Sequence, residues 1–349
     1  MTTRIDRLRA EFESLGAASL LVTNPVNVRY LTGFESSNAF ALVKRDAVLL
    51  LTDGRYIEAA RAVEGVEAIL VDREFDARLA GTLIDVGEPP VAFEADHLTY
   101  ARYQALNGLA LVPASGTIQG LRAVKEPEEL EEIRRAARIL NVAYERLAGE
   151  SMIGRREAEV AWWIEQAMRE EGADALAFDI AVASGPNAAL PHHHAGARRI
   201  EAGETVVVDA GAKVDGYCSD CTRTFATGPL PEELQRAYAT CHSAQESALA
   251  GVEDGADARE LDGIARREIE EAGFDVLHGL GHGVGLEVHE LPVMRPTAHG
   301  ALEARNVVTV EPGVYLPGLG GVRIEDLVIV TEDGAEVLTP FTKDLLTLD

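Results

Sequence analysis

Short apolar runs alternate with helix-like segments over roughly the first third of the chain. The runs of strand length are SLLVT (19–23), AFALV (39–43), AVLLLTD (47–53) and EAILVD (67–72). RYIEAARAVE (55–64), which lies between two of these runs, and YARYQALNGL (100–109), which follows them, have the spacing of helices. Strands that alternate with helices predict a small α/β domain, which we place at residues 1–121.

A change of pattern near residue 122 predicts a second domain. Turn residues give way there to a helix that starts near Pro127, with acids crowding its first turn. Its apolar face consists of Leu130, Ile133, Ala137 and Leu140. The later segments are a helix over 155–172, strands and turns from 176, a hairpin over 204–228, helices over 231–252 and 257–273, and closing strands over 306–338. This order predicts an α+β domain over 122–349.

Composition and charge narrow the class of protein and its partners. The chain has 349 residues, of which 47% are hydrophobic, as in soluble globular proteins. The net charge of −26 repels phosphate backbones, so we expect no nucleic acid partner. No apolar run approaches the roughly 20 residues of a membrane span, and the start, 1–16, resembles a charged amphipathic helix without the apolar core of a signal peptide. We therefore expect a cytoplasmic protein with no membrane partner.

Two of the three cysteines, Cys218 and Cys221, form a C-x-x-C motif in GYCSDCTRTF (216–225). A structural zinc site would need a second pair of ligands, and only Cys241 and scattered histidines remain. A thioredoxin-like redox pair would open a helix after a strand, whereas these flanks are rich in strand-forming residues. We therefore interpret both cysteines as small, half-buried strand residues. On a regular strand Cys218 shares a face with Asp220, so it is the one thiol that could lie near a metal.

The same hairpin carries two acids, Asp209 at the end of TVVVD and Asp220 further along. If a four-residue loop, 213–216, joins the strands, these residues face each other, with Cβ atoms about 4.5–5.5 Å apart. A two-residue type I′ turn at Asp215–Gly216 would shift the register and weaken this inference. Two carboxylates at that distance repel each other unless a proton or a cation lies between them, and burial on an apolar strand strengthens the repulsion. The pair therefore favours a metal site.

Histidines cluster in two segments of the second domain. HGLGHGVGLEVHE (278–290) contains His278, His282 and His289 among glycines that exclude a regular helix and allow close backbone approach. ALPHHHAG (189–196) contains three adjacent histidines, which cannot all face one metal. We expect one of these three to point into a cleft.

Two glutamates complete the set of candidate ligands. Glu311 and Glu325 follow apolar alternations in VTVEPGVYLPGLGGVRIED (308–326), which places both on one sheet and leaves Asp326 on the opposite face. The combined set of two aspartates, two glutamates and one or two histidines is richer in oxygen than zinc alone prefers. Such a set is typical of two divalent ions, about 3.5–4 Å apart, that hold a hydroxide for hydrolysis. Manganese, cobalt or zinc would suit it.

The order of these ligands resembles that of the pita-bread dinuclear metallopeptidases, which include methionine aminopeptidase, aminopeptidase P and prolidase (Xaa-Pro dipeptidase). The motifs DAGAKVDGYCSDCTRTF, GHGVGLEVHE, EPGVY and GGVRIEDLVIVTEDG match that family. NPVNVRYLTGF and LLTDGRYIEAA are similar to the creatinase-like N-terminal domain of prolidases and aminopeptidases P, which methionine aminopeptidases lack. The resemblance implies an α+β fold, in which a smaller α/β creatinase-like domain precedes a pita-bread catalytic domain.

The resemblance also implies a role for each metal ligand. Asp209 would chelate one ion, and Asp220 and Glu325 would bridge both. His282 and Glu311 would complete the other ion. Glu311 would also carry a proton from the bridging water to the leaving nitrogen, which a carboxylate that touches metal and water can do.

Three further catalytic residues follow from the resemblance. His289 would steady the scissile amide and the oxyanion, His192 would line the proline pocket, and Arg323 would support or close the site. Proline suits such an enzyme because its imide nitrogen carries no hydrogen and its ring fits a rigid apolar slot.

The family members differ in substrate length. A dipeptidase must bind the C-terminal carboxylate of its substrate, and prolidases often have an arginine soon after HE-x-P. In HELPVMRP the arginine, Arg295, comes two residues later than that pattern, so it is either the carboxylate reader or a plain surface cation. We predict an Xaa-Pro dipeptidase, with aminopeptidase P as the alternative. A non-catalytic pita-bread binding protein is disfavoured because all five ligands are present.

The resemblance also bears on cofactors and assembly. We predict two divalent ions per subunit, with manganese favoured over cobalt or zinc. The substrates would be small peptides with proline second. We expect a homodimer in which the first domain of one subunit, with its loop GFESSNAF (33–40), caps the cleft of the other.

Overall fold

The computed structural model describes residues 3–71, 75–106 and 108–348. The chain forms two compact units, Met1–Arg122 and Ala123–Asp349.

The N-terminal unit is a six-stranded sheet with helices between its strands. Its strands are β1 (Ser19–Val22), β2 (Ala39–Lys44), β3 (Val48–Thr52), β4 (Glu67–Leu70), β5 (Val91–Glu94) and β6 (Leu111–Ala114). Their order is β4-β3-β2-β1-β5-β6. β2 is antiparallel to both its neighbours and the other pairs are parallel, so the sheet is mixed.

The helices of this unit are mostly short. They are α1 (Arg4–Ala10), α2 (Phe12–Leu15), α3 (Pro25–Thr32), α4 (Ile57–Ala60), α5 (Phe75–Val86), α6 (Tyr100–Ala105) and α7 (Thr117–Ala123). The apolar runs predicted as strands are confirmed as β1 to β4, although Asp72 lies outside the described residues. The helix predicted over 55–64 is only the single turn α4. The helix predicted over 100–109 ends at Ala105, and Asn107 lies outside the described residues.

Some elements of this unit were not predicted, namely β5, β6, α3, α5 and α7. Helix α3 has a local start signal that explains it. The Asn24 side chain accepts a hydrogen bond from the Val26 amide at 2.9 Å, and Pro25 occupies the first turn.

Long helices form the outside of the C-terminal unit. They are α8 (Pro127–Leu147), α9 (Glu157–Glu170), α10 (Glu232–Leu249) and α11 (Ala258–Glu271), and a short 3₁₀ helix spans Gly185–Ala189. The predicted apolar face of α8 is confirmed, because its four residues are all buried.

The strands of this unit form four small sheets. They are β7 (Ala175–Leu176), β8 (Ala181–Ser184), β9 (Thr205–Ala210), β10 (Ala212–Val214), β11 (Tyr217–Cys218), β12 (Cys221–Ala226), β13 (Gly281–Gly283), β14 (Glu290–Met294), β15 (Val307–Val310), β16 (Gly313–Leu316), β17 (Gly320–Arg323), β18 (Asp326–Thr331) and β19 (Gly334–Val337). The sheet orders are β11-β10-β7, β12-β9-β8, β14-β13-β15-β18-β19 and β16-β17.

Two apolar cores form where helix pairs pack on these sheets. Residues of helices α8 and α9 share one core with residues of β9 and β12, among them Tyr144, Ile164 and Val208. Residues of helices α10 and α11 share the other with residues of β15 and β18, among them Cys241 and Val310. The two strand sets meet where the Glu325 amide donates to the Thr222 carbonyl at 3.1 Å. Polar residues at this junction are therefore held by backbone from both halves.

Candidate metal centre

The hairpin that carries Asp209 and Asp220 turns at Asp215–Gly216. Val214 pairs with Tyr217, and both turn residues have positive φ, 43° and 76°, as a type I′ turn requires. The prediction of a four-residue loop over 213–216 is therefore wrong.

The shorter turn changes which residue faces Asp209. Asp209 pairs with Thr222, so the expectation that it directly faces Asp220 is also wrong. Asp220 precedes Thr222 by two positions and lies on the same face, as a diagonal neighbour of Asp209. The two acids still meet, although across a longer diagonal.

Three carboxylates converge at this face. Each of Asp209, Asp220 and Glu325 has an oxygen within 4.8 Å of an oxygen of the others. Opposite ligands of a small octahedral cation at about 2.1 Å are about 4.2 Å apart, so the spacing is close to that of ligands around divalent ions. The side chains of Asp220 and Glu325 are buried and that of Asp209 is nearly so.

His282 and Glu311 lie beside this cluster. The Nε2 atom of His282 is 3.2 Å from Oε1 of Glu311 and 3.7 Å from Oδ2 of Asp220. A glycine allows this approach, because a Cβ atom at Gly281 would lie 2.0 Å from the Thr309 carbonyl oxygen. All five ligands predicted from the sequence are thus brought together.

Burial and mutual repulsion oppose the ionisation of this cluster. Burial raises the pKa of Asp220 well above its usual value, and the charges of Glu325 and Asp209 raise it further. The pKa of Glu325 is raised well above its usual value for the same reasons, with Glu311 and Asp209 as the repelling charges. Burial also raises the pKa of Asp209, although Arg323 offsets part of this rise.

His282 and Glu311 form the opposite case, because each stabilises the charge of the other. Burial alone would lower the pKa of His282, but the hydrogen bond and charge of Glu311 raise it to about 9. Burial alone would raise the pKa of Glu311, but His282 lowers it to about 2. His282 and Arg323 together supply too little positive charge for four adjacent carboxylates.

Unsatisfied oxygens show that the cluster fits a cation. Among the described residues, Oδ1 of Asp209 and Oε1 of Glu325 are buried and accept no hydrogen bond. A buried acceptor without a partner costs about 1–3 kcal/mol, and a bound divalent ion would remove that cost. The Nδ1 atom of His282 lies 3.1 Å from the Gly283 carbonyl oxygen. Donation to that carbonyl holds the tautomer whose Nε2 lone pair can bind a metal.

Two threonines that the sequence analysis did not identify support the glutamates. Thr222 donates to Oε2 of Glu325 at 2.6 Å, and Thr309 donates to Oε1 of Glu311 at 3.0 Å. Thr222 follows Asp220 by two positions and Thr309 precedes Glu311 by two. The period of a strand could therefore have identified both.

Arg323 joins the cluster to the wall of the cleft. Its guanidinium donates to Oδ2 of Asp209 at 2.6 Å, to the Thr222 hydroxyl at 3.0 Å and to the Pro191 carbonyl at 3.1 Å. It also reaches the Tyr315 hydroxyl at 3.2 Å, which is 2.8 Å from Nε2 of His278. The structure thus gives a place to His278, which the sequence left without a role.

The cluster lies at the bottom of a cleft of about 370 Å³. Its apolar lining includes Phe178, Pro191, Val288 and Val293. The polar lining includes His192, His193, His194, His289 and Arg295. The His289 ring centroid is 4.3 Å from that of His282. His192, His289 and Arg295 are exposed within the cleft, whereas His193 is hydrogen-bonded to Glu157.

The cysteines lie behind the site. Cys218 and Cys221 are fully buried, so the interpretation of them as half-buried is wrong, and neither is among the described residues that line the cleft. Burial raises the pKa of the Cys218 thiol to about 11 and raises that of Cys221 as well. Both thiols are therefore protonated at neutral pH and unsuited to metal or redox chemistry. Asp326 lies on the face opposite Glu325, as predicted, and is bonded to Arg223.

A buried carboxylate cluster in a cleft of this fold is typical of a metal-dependent hydrolase. Residues 131–332 match the model of metallopeptidase family M24, and residues 4–124 match the creatinase/prolidase N-terminal domain. The chain therefore belongs to metallopeptidase family M24.

Individual relatives agree along the whole chain. An uncharacterised peptidase of Bacillus subtilis, YqhT, is 37% identical, and the match covers 99% of this chain and all of the relative. The solved structure of a Xaa-Pro dipeptidase from Bacillus anthracis has a TM-score of 0.95 at 38% identity, with 99% of each chain covered. A structure of an X-Pro aminopeptidase from Thermotoga maritima has a TM-score of 0.90 at 32% identity, with 99% of each chain covered.

These similarities confirm the predicted fold class, with a creatinase-like domain before a pita-bread domain. They also confirm that the protein is a peptidase that depends on divalent metal. Within the described residues, every helix is too short or too polar to cross a bilayer.

Proposed function

We propose that this protein hydrolyses Xaa-Pro dipeptides with two divalent ions, of which manganese is favoured and cobalt or zinc are alternatives. The observation that carries the proposal is the cluster of buried acids with unpartnered oxygens, Asp209 and Glu325, in the same cleft as the exposed Arg295. The similarity to a Xaa-Pro dipeptidase over 99% of the chain supports it.

Five residues would hold the ions. Asp209 would bind one ion, and Asp220 and Glu325, which each have an oxygen within 4.8 Å of the other and of Asp209, would be shared by the two. His282 and Glu311, 3.2 Å apart, would complete the second. The threonine hydroxyls on Glu325 and Glu311 would orient these carboxylates.

The bound ions would supply Lewis-acid activation of a water molecule. Glu311 would accept the proton of that water on Oε2, because Oε1 already accepts a hydrogen bond from Thr309. It would then donate the proton to the leaving imide nitrogen. His289 would donate a hydrogen bond to the oxygen of the scissile carbonyl as negative charge develops there.

Specificity for proline would come from the wall of the cleft. His192 and Pro191 lie together on one side, and Phe178 and Val293 add apolar surface that suits a pyrrolidine ring. Arg323 would hold Asp209 and the Pro191 backbone at a fixed separation. The enzyme would thus position a bond that lacks the N–H on which other peptidases rely.

Arg295 favours the dipeptidase over the alternative. It lines the cleft, is exposed, and has no ion pair among the described residues. A free guanidinium is suited to bind the carboxylate of a bound dipeptide. The alternative, an aminopeptidase P that cleaves before proline in longer peptides, is supported by the similarity to the Thermotoga maritima enzyme.

One assay separates the two substrate classes. Hydrolysis of a Xaa-Pro dipeptide and of a Xaa-Pro-Xaa tripeptide should be compared with manganese, cobalt and zinc, for the wild type, Arg295→Gln and the exposed control Arg259→Gln. We expect Arg295→Gln to lower kcat/KM for the dipeptide by about tenfold or more, the value of a hydrogen bond to a charged group, and to leave the tripeptide unchanged. A preference for the tripeptide in the wild type would favour aminopeptidase P, and no hydrolysis of either would refute both.

The assembly and the compartment stay predictions. We propose a cytoplasmic homodimer, on the basis of the resemblance to prolidases and aminopeptidases P. Light scattering at working concentration tests the dimer, and a monomer there would contradict it.

A further inference from the structure

Glu157 is a buried carboxylate at the start of helix α9, outside the metal cluster. Its side chain is 0% exposed. Oε1 accepts hydrogen bonds from the Ser184 amide at 2.9 Å and the Ser184 hydroxyl at 2.7 Å, and Asn187 donates at 3.0 Å. Oε2 lies 2.8 Å from Nε2 of His193 and accepts from the Gly196 amide at 3.3 Å. Glu157 thus ties the end of β8 and the 3₁₀ helix to the loop that contains His193 and Gly196.

The chemistry of this pair determines the role of His193. Burial alone would raise the pKa of Glu157, but the hydrogen bonds from Ser184, His193 and Asn187 lower it. An ionised carboxylate can only accept hydrogen bonds. The Nε2 atom of His193 therefore carries a hydrogen and donates it, so this ring is committed to Glu157 and not to the cleft chemistry.

The segment that contains His193 is held at a second point, on the other side of His192. The Pro191 carbonyl accepts a hydrogen bond from Arg323 at 3.1 Å, and Arg323 also binds Asp209. His192 lies between these two anchors and is exposed to the cleft. Its backbone cannot shift without breaking one of them.

We propose that His193 and Glu157 are positioning residues, which hold the loop 191–196 so that the His192 ring faces the substrate. The inference rests on the proposed Xaa-Pro activity and assigns these residues no contact with substrate or metal. All three adjacent histidines line the cleft, but His192 and His194 are exposed there, whereas the His193 ring is hydrogen-bonded to Glu157.

Substitutions at His193 test this role. His193→Phe keeps a ring and removes the donor, whereas His193→Gln places an amide nitrogen near the position of Nε2 and keeps it. With manganese and a Xaa-Pro dipeptide, we expect His193→Phe to lower kcat/KM by about tenfold, since small misplacements of positioning groups cost up to about a hundredfold. His193→Gln should recover most of this loss, and the exposed control His299→Phe should match the wild type.

A double-mutant cycle with His192→Ala shows whether His193 acts through His192. If it does, adding His193→Phe to His192→Ala should change kcat/KM by less than about twofold, because interacting residues are not additive. A full tenfold further loss in that background, or no loss for His193→Phe alone, would overturn the proposal. If the wild type shows no Xaa-Pro hydrolysis, the proposed function fails. An active wild type with either of the two results above refutes only the positioning role of His193.

A measurement that needs no variant covers the case in which His193→Phe does not fold. Nitrogen-15 spectra of the metal-free protein, with its histidines labelled, report which ring nitrogens carry hydrogen. We expect His193 to be protonated on Nε2. An unprotonated Nε2 at neutral pH would show that the hydrogen bond to Glu157 is absent and would refute the proposal.

Discussion

Glu325 and Asp326 are neighbours in the chain and are equally buried, yet their side chains have opposite surroundings. The Asp326 carboxylate accepts hydrogen bonds from Arg223 at 2.8 Å, Lys343 at 2.8 Å and Gln245 at 3.0 Å. Glu325 faces other carboxylates, and its Oε1 has no partner among the described residues.

The difference separates two uses of a buried acid. Where the chain supplies its own cations, as around Asp326, the acid joins distant segments: Arg223 also donates to the carbonyls of Thr339 at 2.8 Å and Phe341 at 2.7 Å. Where the chain gathers acids without enough cations, as around Glu325, folding leaves a charge that either protons or a cation from outside must neutralise. One cluster is thus structural, and the other is suited to bind metal.

The largest effect should come from removing one acid of the metal cluster. Asp220→Asn should lower kcat/KM for a Xaa-Pro dipeptide by more than about a hundredfold, beyond the losses typical of residues outside the ligand shell. The metal-free protein should be no less stable, because the change removes repulsion between carboxylates. Dipeptide assays and denaturant unfolding of this variant and of the exposed control Asp275→Asn measure both effects. Wild-type activity in Asp220→Asn would contradict the metal site.

A change in the cluster around Asp326 should lower the stability of the protein, whereas a change in the metal cluster should lower its activity. Arg223→Met should lower the free energy of unfolding by about 3–5 kcal/mol, because it removes one of the two cations on the buried Asp326 and the donor to the Thr339 and Phe341 carbonyls. Urea denaturation measures this loss, and the exposed control Arg259→Met should change the free energy by less than about 0.5 kcal/mol. If Arg223→Met were as stable as the wild type, the contrast between the clusters would fail.

Divalent ions should stabilise the protein, and more so as the pH rises. At about 100 times its Kd, manganese should add about 2.7 kcal/mol to the free energy of unfolding. In the metal-free protein the raised pKa values of Asp220, Glu325 and His282 give stability that is present at low pH and is lost as the pH rises.

An ion replaces the protons on these groups, so its effect should grow from the ordinary carboxyl range near pH ~4 to about 9, the pKa of His282. Thermal unfolding with and without manganese across this range measures the increment. A manganese-induced increment that fell as the pH rose would contradict the assignment of these groups as ligands.

The smallest effect should follow changes to the buried thiols. Cys218→Ser and Cys221→Ser, singly or together, should leave the activity of the folded protein within a few-fold, because both thiols are protonated and lie outside the cleft. Dipeptide assays corrected for the metal-bound fraction measure this. A loss comparable to that of Asp220→Asn would give the thiols a role in the site.

Local pattern predicted much of the site. The four acids and the histidine of the site came from short motifs, and the period of a strand correctly separated Glu325 from Asp326. The same period also leads to Thr222 and Thr309. In the N-terminal unit, apolar runs predicted β1 to β4 but missed β5 and β6, where prolines precede VAFE and interrupt LVPA.

Register and long-range contacts required the structure. The turn at Asp215–Gly216 sets a register in which Thr222, and not Asp220, lies opposite Asp209. That register depends on the positive φ of the two turn residues. The contact of Thr222 with Glu325 and that of Glu157 with His193 join segments far apart in sequence, which no periodicity relates.

The sequence by itself determined which side chains could bind cations and which face of each strand they occupy, because ligand type and alternation are local properties. Only the tertiary structure decided that Asp326 meets Arg223 and Lys343 while Glu325 meets other acids, and that His193 turns to Glu157 while His192 faces the cleft. These outcomes depend on which distant segments pack against each residue, and packing is settled by the whole core.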